Sequence, residues 1–127
     1  MFKIKKTKIM LFGTFDGLHK GHLNLFQQAR NLSDNSFLIV SIARDINVLK
    51  IKNKLPILNE RERFFLLKKC NLVDKVILAG KKDHIPHILK QKPHIIALGY
   101  DQKAYVQNLK KDLKSLNVKI IRLKPYK

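Results

Sequence analysis

The chain has 127 residues, with 27 Lys or Arg against 9 Asp or Glu, for a formal net charge of +18. An apolar share of 45% suits one globular domain with one core and excludes a disordered chain. No apolar run approaches the roughly 18 residues a membrane span needs, and the single Cys70 excludes an internal disulfide.

That lone cysteine points to a reducing cytoplasm. The basic start MFKIKKTK lacks the apolar stretch and cleavage site of a signal peptide. A positive field attracts polyanions, and nucleotides or phosphorylated small molecules suit it as well as nucleic acid does. No zinc-finger spacing or RNP-like aromatic strand favours nucleic acid. A solvated, Lys-rich surface accounts for most of the charge.

Five short apolar runs predict strands: Ile9–Phe12, Phe37–Ala43, Val76–Ala79, Ile95–Leu98 and Val118–Leu123. The first four are nearly continuous, as in strands covered on both faces; the last alternates, as an edge strand does. After the first run, Leu18, His22, Leu25, Phe26, Ala29 and Leu32 recur at helical spacing, predicting a helix over Gly21–Leu32. A basic loop, Arg44–Leu58, follows the second run. Asn59 with Glu62 then forms a variant of the capping box, opening a helix through Phe64 and Leu67. A short helix near Ile85–Gln91 and a longer one over Lys103–Leu116, ended by Asn117, complete the pattern. Strands alternating with helices imply an α/β fold, a doubly wound five-stranded parallel sheet of Rossmann-like type. The loops Gly13–Lys20, Arg44–Leu55 and Gly99–Gln102 all follow strands, and so share the rim where such sheets bind ligands.

The chemistry concentrates in Gly13–His22, GTFDGLHKGH. Gly13 lets the backbone turn and approach a ligand closely. Gly21 leaves room at a helix start, where free N–H groups and the helix dipole favour an anion. His19 and His22, three apart, face the same bound phosphate. The Gly-Lys-Ser/Thr ending of a Walker A loop is absent, as is the G-x-G-x-x-G dinucleotide fingerprint. His84 and His87 have metal-like spacing, but Pro86 lies between them and no further ligand accompanies them.

These residues resemble the GTFD…HxGH signature of the cytidylyltransferase-like nucleotidyltransferase superfamily. Likeness extends through Ala43-Arg44-Asp45, Asn59-Glu60-Arg61-Glu62-Arg63, Val73-Asp74-Lys75-Val76, Leu98-Gly99-Tyr100-Asp101-Gln102 and Arg122-Leu123-Lys124-Pro125. Within the superfamily, "ARD", "LGYDQ" and "RLKPY" look most like archaeal-type FAD synthase, an FMN adenylyltransferase. Glycerol-3-phosphate cytidylyltransferases have a similar layout but usually carry a Trp after the fourth-strand Asp, where this chain has Gln102. Sugar-phosphate adenylyltransferases share the first half of the pattern. A non-catalytic nucleotide- or nucleic-acid-binding protein of the same fold is the remaining alternative. The resembled enzymes usually continue past the fifth strand with a Ser/Thr-rich segment that helps hold the nucleotide, whereas this sequence stops at Lys127.

The resemblance implies attack by a substrate phosphate on the α-phosphorus of ATP (or CTP), with FMN or another phosphorylated small molecule as acceptor. Catalysis then falls to His19, His22 and Lys54, with Lys50 or Lys52 as substitutes for the last. Nucleotide contacts fall to Gly13, Thr14, Phe15, Asp16, Gly21, Arg63, Gly99, Asp101 and Gln102. Mg²⁺ or another divalent cation accompanies the phosphates, with no protein side chains assigned as its ligands, although Asp16 is placed to orient a His or water beside it. Tyr100 and Tyr105 are candidates for stacking on a flavin. Homodimers are common in the resembled family.

Overall fold

All five apolar runs pair into one parallel sheet in the computed structural model, which describes residues 5–81, 84–100, 102 and 117–126. The strands are β1 (Thr7–Gly13), β2 (Ser36–Ile42), β3 (Lys75–Leu78), β4 (Ile95–Leu98) and β5 (Lys119–Arg122), in spatial order β3-β2-β1-β4-β5. β1 and β2 are paired from Thr7–Ser36 to Gly13–Ile42, and β1 meets β4 at Ile9–Ile95 and Met10–Ile96. From β1 the chain builds outward to β2 and β3, then returns to lay β4 and β5 on the other side. The order reverses between β1 and β4, which is where open α/β sheets form their ligand crevice.

Side chains alternate across a strand, and here both faces are covered. Ile9, Leu11, Leu38, Val40 and Ala97 pack on one side against Phe26, Ala29 and Leu67. Met10, Phe12, Ile39, Ile96 and Leu98 pack on the other against Ile88. That two-sided burial is why β1, β2 and β4 are written as continuous apolar runs. β3 is the exception: it lies at a sheet edge, and none of its residues is fully buried.

The helices are α1 (Lys20–Arg30), α2 (Asp45–Lys52), α3 (Glu60–Lys68) and α4 (His84–Gln91). The Asn59–Glu62 capping box starts α3 as the sequence implies. α2 occupies part of the stretch expected as a loop. Its apolar residues Ile46, Val48, Leu49 and Ile51 scatter around the helix and only Val48 is buried, so no amphipathic stripe announces it. It stops at Asn53, whose φ of 55° is left-handed. The helix expected over Lys103–Leu116, with Tyr105, lies outside the described residues. No helix among the described residues is long and apolar enough to cross a membrane.

Candidate active site

The Gly13–His22 loop leaves β1 at the switch point and is shaped by two close approaches. Phe15 adopts φ 54° and is buried, folding its ring back over the strand end. A Cβ on Gly13 would lie 2.7 Å from Phe15 Cε2 and 2.8 Å from Cζ, so only glycine accommodates the ring. The Phe15 ring in turn packs edge-on to His22 at 5.3 Å and against Phe26 at 5.5 Å. A buried aromatic thus props the histidine from the core side.

His19 is the N-cap of α1. Its Nδ1 accepts from Gly21 N (3.0 Å) and His22 N (3.4 Å), while His19 N donates to His22 Nδ1 (3.3 Å). The pair forms a reciprocal capping box built from two imidazoles, with the rings stacked at 3.7 Å. Because both Nδ1 atoms accept backbone protons, each neutral ring carries its proton on Nε2. The sequence offers two imidazoles at a helix start; the structure turns them into two parallel N–H donors. Burial, and then the neighbouring His19, hold the His22 pKa below its ordinary 6.5, so His22 is neutral at pH 7.

Gly21 permits this geometry. A Cβ there would meet His19 Cε1 at 2.8 Å and Nδ1 at 3.0 Å. Gly21→Ala is therefore expected to push the His19 ring off the helix end and cut turnover about tenfold or more, the equivalent of about 1.4 kcal/mol. Thermal stability should change by under about 1 kcal/mol, since alanine itself favours the helix. Steady-state kinetics beside a thermal melt checks this; unchanged turnover would show that the ring position is immaterial.

The β4 end closes the site from the other side of the switch point. Gln102 accepts from Gly99 N at Oε1 (2.8 Å) and donates from Nε2 to Phe12 O (2.9 Å), clamping the ends of β4 and β1 together. Arg122 on β5 donates to Gly99 O and Gln102 O at 2.8 and 2.7 Å. Gln102, expected to touch a base or ribose, lines the groove and also holds its loop through backbone. Asp101 lies outside the described residues. A groove of about 670 Å³ runs between Gly13–Phe15, the His19–His22 turn, Gly99, Tyr100 and Gln102, with Lys124 and Tyr126 at its rim. The Gly13–Lys20 and Gly99–Gln102 loops therefore share one pocket. Gln28 carries Lys124 there, donating to its carbonyl and accepting from its N–H, both at 2.8 Å. Gln28 and Arg122 were not evident as site residues, because each acts through backbone contacts that span 20 or more positions.

A second groove, of about 760 Å³, shares Gly13, Thr14, Phe15, His19, His22 and Gln102 with the first and is bordered by Lys52, Lys54 and the Leu55–Ile57 strap. Lys54 and Lys52 border it; Lys50 does not.

Two residues expected at the phosphates have their polar atoms engaged within the protein, Arg63 beneath the site and Asp16 at the edge of the second groove. Arg63 is 0% exposed. It donates from Nε to Leu58 O, from one terminal nitrogen to Thr14 O and Ala43 O, and from the other to Asp45 Oδ1 at 2.6 Å. Its donors face the carbonyl ends of β1 and β2, not the groove. Asp16 accepts from Ile57 N (2.8 Å) and Leu58 N (2.7 Å), one bond per carboxylate oxygen. It ties the strap to the Gly13–His22 loop rather than orienting a histidine.

Those amides lower the Asp16 pKa below its ordinary 3.8, the Leu58 bond contributing most. A lowered folded value means the unfolded chain takes up the proton first on acidification. The stability Asp16 provides is therefore complete above pH 3.8 and lost as pH falls through the lowered value. Melting curves of wild type and Asp16→Asn should differ at neutral pH and converge on acidification below that point; a constant difference down to the acid limit counts against this role.

Among the described residues, no group of three or more His, Cys, Asp or Glu is arranged to hold a metal ion.

A Cytidylyltransferase-like family model matches residues 10–125. The chain is 44% identical over 119 residues to an FAD synthase of Korarchaeum cryptofilum, covering 91% of this chain and 80% of that relative. It is 41% identical to an FAD synthase of Methanosarcina barkeri, covering 92% and 83%. Among solved structures, a Thermoplasma volcanium protein described as a lipopolysaccharide core biosynthesis protein superposes with TM-score 0.86 at 34% identity, over 97% of this chain and all of that one. A pantoate-beta-alanine ligase from Francisella tularensis shares the fold at TM-score 0.59 and 23% identity, over 95% of this chain and 60% of that one.

Proposed function

This chain belongs to the cytidylyltransferase-like family, and from that premise we propose that it is an FAD synthase-like nucleotidyltransferase, transferring the adenylyl group of ATP to FMN. A phosphate oxygen of FMN attacks the α-phosphorus of ATP, the bond from that phosphorus to the bridging oxygen breaks, and pyrophosphate leaves. No covalent enzyme intermediate is needed, so the protein's part is positioning and charge stabilisation. The observation that carries the reading is the pair of stacked imidazoles at the α1 N-terminus, which aim two Nε2–H donors where the phosphates of a switch-point nucleotide lie.

The two grooves divide the reactants. ATP takes the groove under Gly99 and Gln102, with Thr14 and Phe15 offering backbone near the phosphates and Asp101 close by in sequence for the nucleoside. FMN takes the groove bordered by Lys52 and Lys54, whose ammonium groups face an incoming phosphate. His19 and His22 border both grooves, so the reacting phosphorus sits between them. A divalent cation enters on the triphosphate oxygens, as the counter-ion of the substrate.

Pyrophosphate release, measured with ATP and CTP each crossed with FMN, glycerol 3-phosphate and sugar 1-phosphates, tests the assignment. The ATP–FMN pair should turn over fastest and yield FAD. Faster release from CTP with glycerol 3-phosphate would replace it with cytidylyl transfer.

A further inference from the structure

The acceptor groove carries an unusual wall. Ile51, Leu55 and Ile57 are 77%, 56% and 88% exposed, yet all three border this one groove. Scattered apolar residues are ordinary on a surface, whereas large aliphatics gathered on one ligand groove mark a contact surface. Lys52 and Lys54 alternate with them along the chain and border the same space. The wall is also held in place: Asp16 fixes the backbone N–H of Ile57 itself at 2.8 Å, and Asp16 belongs to the loop that ends in His19 and His22.

Resting on the adenylyl-transfer reading, we propose that Ile51, Leu55 and Ile57 form the platform for the isoalloxazine ring of FMN and so determine the acceptor. The chemistry required is that of a broad, flat, largely apolar ring joined to a phosphate: the ring covers the aliphatic wall while the phosphate lies toward Lys52, Lys54 and the histidines. A glycerol or sugar phosphate has no apolar face to bury there and gains nothing from these side chains. Because the wall touches the ring, which does not react, its contribution is the same in the ground and transition states. It therefore appears in the acceptor KM and not in kcat.

The test is steady-state kinetics of the full chain with ATP and FMN, on wild type, the Ile51→Ser/Ile57→Ser double variant and the conservative Ile51→Leu/Ile57→Leu variant, with thermal melts and sedimentation for each. For the serine variant, KM for FMN should rise about 10- to 100-fold, equivalent to about 1.4 to 2.8 kcal/mol. Its kcat and KM for ATP should be near wild type, and the leucine variant should retain most of the FMN affinity. An unchanged KM for FMN in a folded serine variant overturns the platform and leaves adenylyl transfer standing. Conversion of a dimer to a monomer with FMN kinetics unaltered assigns the wall to a second copy of the chain and likewise overturns it. A wild-type chain that releases pyrophosphate with another acceptor but neither binds nor adenylylates FMN overturns both readings.

Discussion

Replacing His19 or His22 with alanine is expected to lower turnover about 100- to 1,000-fold, the usual loss for one preorganised donor at a developing negative charge, with KM for ATP changed only slightly. Charge on the phosphate oxygens grows as the α-phosphorus is attacked, and an interaction that strengthens in the transition state registers in the rate. His19 raises a complication, because it also caps α1 through Nδ1. Loss of a cap costs at most about 2 kcal/mol, which a folded domain tolerates. The variant that separates the two roles is His19→Asn: asparagine is a good N-cap acceptor but places no donor where Nε2–H lies. It should melt near wild type and still lose most of its turnover. The acid side of the pH profile offers a second readout. Protonation of His22 removes the Nδ1 acceptor that receives His19 N–H, and with its pKa lowered by burial this loss should set in at lower pH than for an ordinary histidine. Near-normal turnover in folded His19→Asn and His22→Ala proteins would make the imidazoles structural and sink the mechanism.

Much of this was legible in the sequence, and the parts that were not have physical reasons. β1, β2 and β4 are continuous runs because both faces of the sheet are covered, and their loops had to share a rim. The Asn59–Glu62 box was visible because it is local. α2 was not, since seven of its eight residues are outside the buried core and nothing sets a helical period. Side-chain destinations were the harder matter. Arg63, Asp16 and Gln102 are polar residues in motifs that handle phosphates, so each was expected to touch ligand. Each binds backbone in the structure. Three loops converge at the carboxyl end of this sheet, and their carbonyls and amides have no ladder partners there. Side chains that satisfy them are as necessary to the site as those that meet the substrate. Composition and spacing do not separate the two kinds; the hydrogen-bond partners do.

Arg63 provides the sharpest test of that distinction. It is fully buried and bonds three carbonyls from three segments, those of Thr14, Ala43 and Leu58, together with the carboxylate of Asp45. Removing one partner of a buried ion pair typically costs about 3 to 5 kcal/mol, and here three carbonyls lose a donor as well. Against a total stability of about 5 to 15 kcal/mol for a domain, Arg63→Met is expected to leave a marginal or unfolded protein in urea titration. Arg63→Lys should recover little, because a single ammonium cannot span acceptors that a planar fork reaches at once. Asp45→Asn should cost less than either, since its side chain is 27% exposed and water replaces part of the pairing. If Arg63 instead neutralised a triphosphate, Arg63→Lys would keep its urea midpoint, retain charge at the site and raise KM for ATP. That pattern would put the guanidinium in the groove. A large drop in midpoint, with the activity of the remaining folded protein lost in proportion and no more, would identify it as the strut on which the Gly13–His22 loop stands.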